Sequence, residues 1–230
     1  LFLFFCCNEF IAQYPAYFSN SVETGAPSNE VYWLQQDNEG YIWIGCDAGL
    51  YRYNGIRYDH FSSPKLTARS ATGIIQSKQT GRIYAFNFNR QLFYVEQNEL
   101  KVIESWNLAV NGLADDHNGN IWITSNEGIF KLNEKNFSIT KINSKLHFKD
   151  DDGRSYSSHG ISNPSGNIYY QCGNSLITWK KNNPSILQFD NPDLPVNLLF
   201  SRFSDHPWIF TYNGDRILHY SNGKYIRYND

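Results

Sequence analysis

The chain has 230 residues, of which 41% are hydrophobic, 17% aromatic and 18% charged, and its formal net charge is -2. This composition is that of a globular protein and excludes a disordered or fibrous one. Lys and Arg are scattered singly along the chain, which argues against a nucleic-acid partner. Because Tyr, Phe and Trp are abundant and favour β-strands, we expect an all-β fold.

Residues 1–13 combine a short apolar run with a polar end. The run is too short to span a bilayer and is typical of the end of a secretion signal; a buried N-terminal strand is the alternative. We interpret residues 1–13 as the tail of a signal peptide and residues 14–28 as a lead-in segment, which predicts an exported protein. Because the chain begins with Leu and contains no Met, we expect it to belong to a longer open reading frame.

A repeat of about 40 residues, a period typical of propeller blades, organises the chain from residue 29 onward. The segment 37–44 returns at 116–123, and the Gly-Leu-Tyr at 49–51 returns as Gly-Ile-Phe at 128–130. Weaker copies lie at 81–85, 166–170 and 208–210.

Each unit contains the signals of four strands. In the first unit, strands are expected at 31–36, 41–45, 49–53 and 56–61, separated by a tight turn at 37–40, a loop at 46–48 and a hairpin at Asn54-Gly55. The sequence therefore predicts an all-β propeller of about five four-stranded blades, part of a larger, truncated propeller. The blades are expected at about 29–61, 69–103, 108–142, 157–189 and 196–228 within residues 29–230.

The repeated residues are expected to have structural roles. Asp and Gly close the turns, and Trp43 and Trp122, with Tyr84 and Tyr169 at the matching place, are expected to pack one blade onto the next. The structural repeat positions are Asp37, Gly40, Trp43, Gly49, Gly81, Asp116, Gly119, Trp122, Gly128 and Gly166.

These motifs resemble the two-component regulator propeller family, whose repeat joins an acidic residue, a glycine, Trp-Ile-Gly or Trp-Ile-Thr, and then Gly-Leu with an aromatic residue. Residues 37–53 match this pattern closely and residues 116–130 nearly as well, whereas the other three repeats depart from it. Proteins similar to this carry a signal peptide, many repeats, a small β-sandwich, a transmembrane helix and a cytoplasmic histidine kinase; some are hybrids that end in a DNA-binding domain. The resemblance implies a periplasmic sensor with a membrane tether downstream, and a homodimer formed through the full-length protein.

Other chemistries find no support in the residue pattern. Asp37 and Asp116 lie in separate turns, whereas glycoside hydrolysis needs two converging carboxylates. The acidic loop at 150–153 lacks the ligand pattern of a calcium loop, and the six histidines lack zinc-site spacing. Cys46 and Cys172 fall at the same place in blades that are not neighbours, so we interpret them as small, partly buried thiols. We assign no metal and no cofactor.

The leading hypothesis is an extracytoplasmic ligand-sensing module, itself non-catalytic, that passes ligand binding to a kinase beyond residue 230. The ligand would be a small molecule or a glycan fragment; a propeller enzyme of the lyase or hydrolase type and a protein-interaction scaffold are the alternatives. Turns such as 37–40 lie at one face of the blades, so ligand contacts are expected at the other face, from the loops before the first strand and after the second. The candidate residues there are Asn29, Glu30, Asp47, Asn107, Asn126 and Glu127.

Overall fold

The computed structural model describes residues 19, 21–125, 127–142, 161–163, 165–172, 175–180, 183–188, 195–199, 208–211, 217–221 and 224–228. The expected signal segment at 1–13, the acidic loop at 150–153 and Asn126 lie outside these ranges. Within the described ranges the helical content is one 3-10 turn at Val22–Thr24, and no helix is long and apolar enough to cross a membrane.

The described strands form five antiparallel sheets, each with four strands that follow one another in chain order. The prediction of an all-β fold built of four-stranded blades is confirmed. Blade 1 comprises β1 (Val31–Gln36), β2 (Ile42–Cys46), β3 (Gly49–Tyr53) and β4 (Tyr58–Phe61). Blade 2 comprises β5 (Thr72–Gln76), β6 (Ile83–Phe86), β7 (Leu92–Glu96) and β8 (Glu99–Val102), and blade 3 comprises β9 (Gly112–Asp115), β10 (Asn120–Ser125), β11 (Gly128–Asn133) and β12 (Ile139–Lys141). Blade 4 comprises β13 (Ile161–Ser162), β14 (Ile168–Cys172), β15 (Ser175–Lys180) and β16 (Asn183–Gln188), and blade 5 comprises β17 (Pro195–Leu199), β18 (Trp208–Thr211), β19 (Ile217–Ser221) and β20 (Lys224–Tyr228).

Two strand boundaries in blade 1 differ from the sequence-based expectation. Cys46 is the last residue of β2 and not the start of a loop, because it pairs with Gly49 across a two-residue turn. The fourth strand begins at Tyr58 and not at Ile56, because the side-chain oxygen of Asn54 accepts the backbone N–H groups of Ile56 and Arg57 and so extends the turn to four residues.

Alternate side chains of each strand point to the two faces of the sheet, and in blades 2 and 3 both faces are apolar because each of these sheets packs between two others. Between blades 1 and 2, the buried Trp43, Leu50 and Phe61 share a cluster with Ile83 and Phe93. The Trp43 and Phe61 rings lie 4.9 Å apart between centroids.

The same arrangement recurs between the next blades. Tyr84 of blade 2 is fully buried in a cluster with Ile121 and Phe130 of blade 3. Trp122 of blade 3 packs on Trp179 of blade 4, with 5.5 Å between ring centroids. The structure thus places both repeated tryptophans between sheets.

The repeated Asp closes its turn and also binds the tryptophan. Oδ1 of Asp37 accepts the backbone N–H groups of Glu39 and Tyr41 at 3.0 and 2.9 Å, and Oδ2 accepts the indole N–H of Trp43 at 2.8 Å. Gly40 has a φ of 91°, a left-handed conformation that glycine adopts without strain. One carboxylate therefore holds both the turn and the orientation of the inter-blade ring.

Neighbouring blades are also joined by hydrogen bonds from one turn to the next sheet. The backbone N–H of Asn38 donates to the side chain of Gln76 at 2.8 Å, and the backbone N–H of Lys78 donates to Asp115 at the same distance. Gln76 and Asp115 each end the first strand of their blade. These bonds fix how far one blade is rotated against the next.

The two outer faces of the described blades carry exposed apolar residues. Leu34 of blade 1 is 61% exposed, whereas Ile74 and Leu113 at the matching positions of blades 2 and 3 are buried. In blade 5, Ile217 is 40% exposed and Ile226 is 52% exposed.

Candidate ligand-binding face

Two kinds of loop lie at one face of the blades. Consecutive strands are antiparallel, so the loops that join them alternate between two faces of the blades. The connections between blades and the turns after each second strand lie on one face, and the turns after each first strand, such as 37–40, lie on the other. We call the face with the connections between blades the connection face; in blades 1 to 3 it is formed by the described parts of the loops at 21–30, 47–48, 62–71, 87–91, 103–111 and 126–127. The opposite face, with the turns at 37–41, 54–57, 77–82, 97–98, 116–119 and 134–138, is the hairpin face.

In blade 1 the structure brings two of the candidate carboxylates into one hydrogen-bonded group. The Ser28 hydroxyl donates to Oδ1 of Asp47 in a short contact and accepts the backbone N–H of Glu30 at 2.8 Å. The Tyr32 hydroxyl donates to Oε2 of Glu30 at 3.1 Å. Glu30 and Asp47 are exposed, and neither forms an ion pair with a Lys, Arg or His of the described chain.

Asn29, the third candidate of blade 1, has a structural partner. Its side-chain oxygen accepts the backbone N–H of Val22 at 3.0 Å and ties the lead-in 3-10 turn to the start of β1. This bond holds the segment before Glu30 in place.

Blade 2 contributes a loop that the sequence-based list of candidates lacks. Asn87 is buried; its side-chain oxygen accepts the backbone N–H groups of Asn89 and Gln91 at 3.1 and 3.0 Å, and its amide donates to the Ala68 carbonyl at 3.1 Å. The Gln91 amide donates to the Lys65 carbonyl at 2.8 Å. The loop 87–91 is thus fastened at both ends, to itself and to the connection that precedes its blade.

The residue at the tip of this fastened loop is an exposed aromatic one. Phe88 is 65% exposed, and its ring meets the ring of Tyr32 edge-to-face with 5.0 Å between centroids. Arg90, two residues on, has a φ of 67°, a conformation that costs energy for a residue other than glycine. A large apolar side chain is therefore exposed to solvent at the tip of a loop that hydrogen bonds hold in place.

Charge and burial act together on the phenol of Tyr32. Partial burial raises its pKa, and the hydrogen bond and negative charge of Glu30 add to this effect, followed by the charge of Asp47. The two carboxylates therefore both lie within electrostatic reach of the aromatic pair formed by Tyr32 and Phe88.

The blade 3 candidates form no such group. Asn107 and Glu127 are exposed, and the backbone N–H of Glu127 donates to the Ser125 hydroxyl at 3.1 Å. No hydrogen bond or ion pair within the described parts of blades 1 and 3 joins either residue to Glu30 or Asp47. Asn126 lies outside the described residues.

Cys46 and Ser125 occupy the same position in blades 1 and 3, at the turn after the second strand. The Cys46 thiol donates to the Gly49 carbonyl at 3.3 Å, and the Ser125 hydroxyl donates to the Gly128 carbonyl at the same distance. Cys46 is completely buried and not partly buried as expected, and burial raises its thiol pKa. Its role in the described structure is to close the turn that presents Asp47.

One polar network of the hairpin face is buried around Glu134. The buried carboxylate of Glu134 accepts the hydroxyls of Ser77 and Thr80, each at 2.8 Å, and the Arg82 guanidinium donates to the Glu134 carbonyl at 2.6 Å. This network joins blades 2 and 3. Across the described residues no group of three or more His, Cys, Asp or Glu side chains is arranged to hold a metal ion.

Tyr32, Phe88 and the loop 87–91 are not among the residues predicted from the sequence. One signal was available, because the turn after the second strand is longer in blade 2 than in blade 1 and carries a lone Phe among polar residues. The pairing of Phe88 with Tyr32 had no sequence signal, since it depends on how the two blades are rotated against each other.

Solved structures similar to this chain are β-propellers with low sequence identity. The virginiamycin B lyase of Staphylococcus aureus has 14% identity and a TM-score of 0.70, over 90% of this chain and 72% of that one. A streptogramin B lyase has 16% identity and a TM-score of 0.72, over 89% of this chain and 70% of that one. The extracellular domain of a putative hybrid two-component system of B. thetaiotaomicron has 18% identity and a TM-score of 0.67, over 87% of this chain but only 28% of that one.

At these identities the structural similarity establishes the propeller fold and no activity. No curated protein matches the chain. A family model does match residues 17–192, which is most of the chain and includes the connection face of blades 1 to 3. The chain therefore belongs to the family described as Domain of unknown function (DUF5074).

Proposed function

We propose that the chain is an extracytoplasmic ligand-sensing propeller module of a two-component signalling protein. It binds a small molecule or a glycan fragment on the connection face and passes the binding event to a kinase outside these residues. The observation that carries the proposal is Phe88, an exposed ring that a hydrogen-bonded loop holds against Tyr32, whose hydroxyl in turn binds Glu30. Rigidly mounted aromatic and polar groups on loops are how stable scaffolds recognise ligands.

The fold is consistent with this role, since extracellular domains of putative hybrid two-component systems share it. The proposal includes a periplasmic location, a membrane tether beyond these residues and a homodimer formed by the full-length protein.

A propeller lyase is the second candidate, because lyases are among the similar structures. A catalytically inactive variant of the Staphylococcus aureus virginiamycin B lyase, in which alanine replaces a histidine, is also similar to this chain. The described histidines of this chain are His60 in β4, His117 in a turn of the hairpin face and His219 in β19. His147, His159 and His206 lie outside the described residues. A protein-interaction scaffold is the third candidate.

The test is a thermal-shift screen of the full-length protein with oligosaccharide fragments and small metabolites, followed by mass spectrometry of each recovered hit. A sensor stabilised by a hit returns that hit unchanged, whereas a lyase returns a product. Phe88→Ala should abolish the shift. Ile56→Ala is the matched control, because Ile56 is an apolar residue that is 90% exposed on the hairpin face. A hit that is converted to product, or an equal loss of shift in both variants, would contradict the proposal.

A further inference from the structure

The surface where Tyr32 of blade 1 meets Phe88 of blade 2 carries two carboxylates, Glu30 and Asp47, that form no ion pair within the described chain. Tyr32 contacts Glu30 through its hydroxyl and Phe88 through its ring, so it joins the acidic group to the exposed ring. Within the described chain each carboxylate has one oxygen with no hydrogen-bond donor, Oε1 of Glu30 and Oδ2 of Asp47. The two charges are not neutralised by an ion pair with any described basic residue.

An anionic ligand would be repelled from this corner, and a purely apolar ligand would leave the carboxylates without a partner. A cation would satisfy both features, because aromatic rings attract cations through their negative faces and carboxylates attract them by charge. The two rings meet at 70° and so form two walls of a corner, the arrangement that aromatic cages use for ammonium groups.

Resting on the proposed ligand-sensing function, we propose that the corner formed by Tyr32, Phe88, Glu30 and Asp47 is the subsite for a protonated amine or quaternary ammonium group of the ligand. The ammonium group lies against the Tyr32 and Phe88 rings. The carboxylates of Glu30 and Asp47 face it from the blade 1 side.

The neighbouring connection between blades 1 and 2 carries a basic residue that weakens this attraction. Arg69 lowers and Asp47 raises the pKa of Tyr51, so both charges lie within electrostatic reach of the same ring. Arg69 does not form an ion pair with Asp47 in the described structure. Removal of Arg69 should therefore strengthen cation binding, which a merely structural role of the corner would not produce.

The test compares choline with its neutral tert-butyl analogue, in which carbon replaces the ammonium nitrogen. The two probes have the same shape and differ in charge. Binding to the full-length protein is measured by saturation-transfer NMR on the methyl signal of each probe. Choline should bind with a dissociation constant on the order of millimolar, and the neutral analogue about fivefold more weakly or not at all.

Variants locate the site. Glu30→Gln, Asp47→Asn and Phe88→Ala should each weaken choline binding about two- to fivefold, and Arg69→Ala should tighten it by a similar factor. Glu39→Gln is the matched control, because it removes one exposed carboxylate from the hairpin face and should leave binding unchanged.

Three outcomes would overturn the inference: equal binding of both probes, no choline signal up to about 50 mM, or equal weakening by Glu30→Gln and Glu39→Gln. The first would leave an apolar ligand site on this face, so the charge assignment would fail while the proposed function stands. The thermal-shift screen tests the proposed function separately, because its compounds include uncharged oligosaccharides.

Discussion

In the two strong repeats the turn contains an Asp and the following strand a Trp. In two weaker repeats the Asp is replaced by Ser or Asn and the Trp by Tyr. Where the turn residue is Ser77 or Asn163, the inter-blade ring is tyrosine, and the side-chain oxygens of Ser77 and Asn163 still accept a backbone N–H of their turn. In the two strong repeats the acid therefore binds the indole N–H as well as the turn. The pairs are Asp37 with Trp43 and Asp116 with Trp122, and the tyrosines are Tyr84 and Tyr169.

Truncation of either tryptophan should be costly. Trp43→Ala or Trp122→Ala in the full-length protein is expected to lower the free energy of unfolding by about 3 to 5 kcal/mol, because each removes a buried ring from between two sheets. Trp122→Phe keeps most of the ring and loses the bond to Asp116, so about 1 kcal/mol is expected. Chemical denaturation measures both. A loss below about 1 kcal/mol for the alanine variants would mean that the blades pack in another register.

Acid stability should depend on Glu96. Its pKa is lowered chiefly by the hydrogen bond from Arg82, with burial opposing and Lys101 assisting. A carboxylate with a depressed pKa stabilises the fold above its unfolded pKa of about 4.3, and this contribution is lost as the pH falls through its folded pKa. Glu96→Gln should therefore flatten the fall in melting temperature below about pH 4.3. Glu99→Gln, an exposed neighbour, should leave the profile unchanged.

The strands and turns of each blade follow from residues that are near one another in the sequence. The contacts between blades join residues that are far apart in the sequence. The turn at 37–40 follows from an Asp and a Gly three residues apart, and the strands follow from alternating apolar residues, so blades 1 to 3 could be predicted from sequence. The bond between Asn38 and Gln76 joins residues of different blades. So does the contact of Tyr32 with Phe88. Neither pair has a local pattern, because each depends on the rotation between sheets, and for this reason the candidate list contained Glu30 and Asp47 without their aromatic partners.

Ligand binding by the loop 87–91 should weaken when the hydrogen bonds that hold the loop are removed, even if Phe88 is retained. Asn87→Ala deletes four hydrogen bonds, to the backbone of Asn89, Gln91 and Ala68 and to the Gln91 side chain. We expect a loss of about 1 to 3 kcal/mol in stability and faster hydrogen exchange confined to 87–91. Ligand affinity should fall toward that of Phe88→Ala. Full affinity with a loosened loop would show that the rigidity of the loop is not required.

At the scale of the whole molecule, the described blades end in two apolar faces. Leu34 on blade 1 and Ile217 on blade 5 are exposed where the matching side chains between blades are buried, and Ile226 on the same face of blade 5 is exposed as well. Exposed sheet faces of this kind promote association.

We expect the isolated 230-residue chain to be aggregation-prone, and Leu34→Asp together with Ile226→Asp to reduce the aggregation. Light scattering at increasing protein concentration measures this, with Val22→Asp as a control for one exposed apolar residue outside the sheets. A monodisperse monomer of the unmodified chain with a single cooperative unfolding transition would contradict the expectation.

Recognition of the ligand on the connection face of blades 1 and 2 can be tested by hydrogen exchange of the full-length protein, with and without a hit from the thermal-shift screen. We expect ligand-induced protection at 28–32, 47–48 and 87–91. Protection confined to the turns at 37–40 and 116–119 would instead place the ligand on the hairpin face.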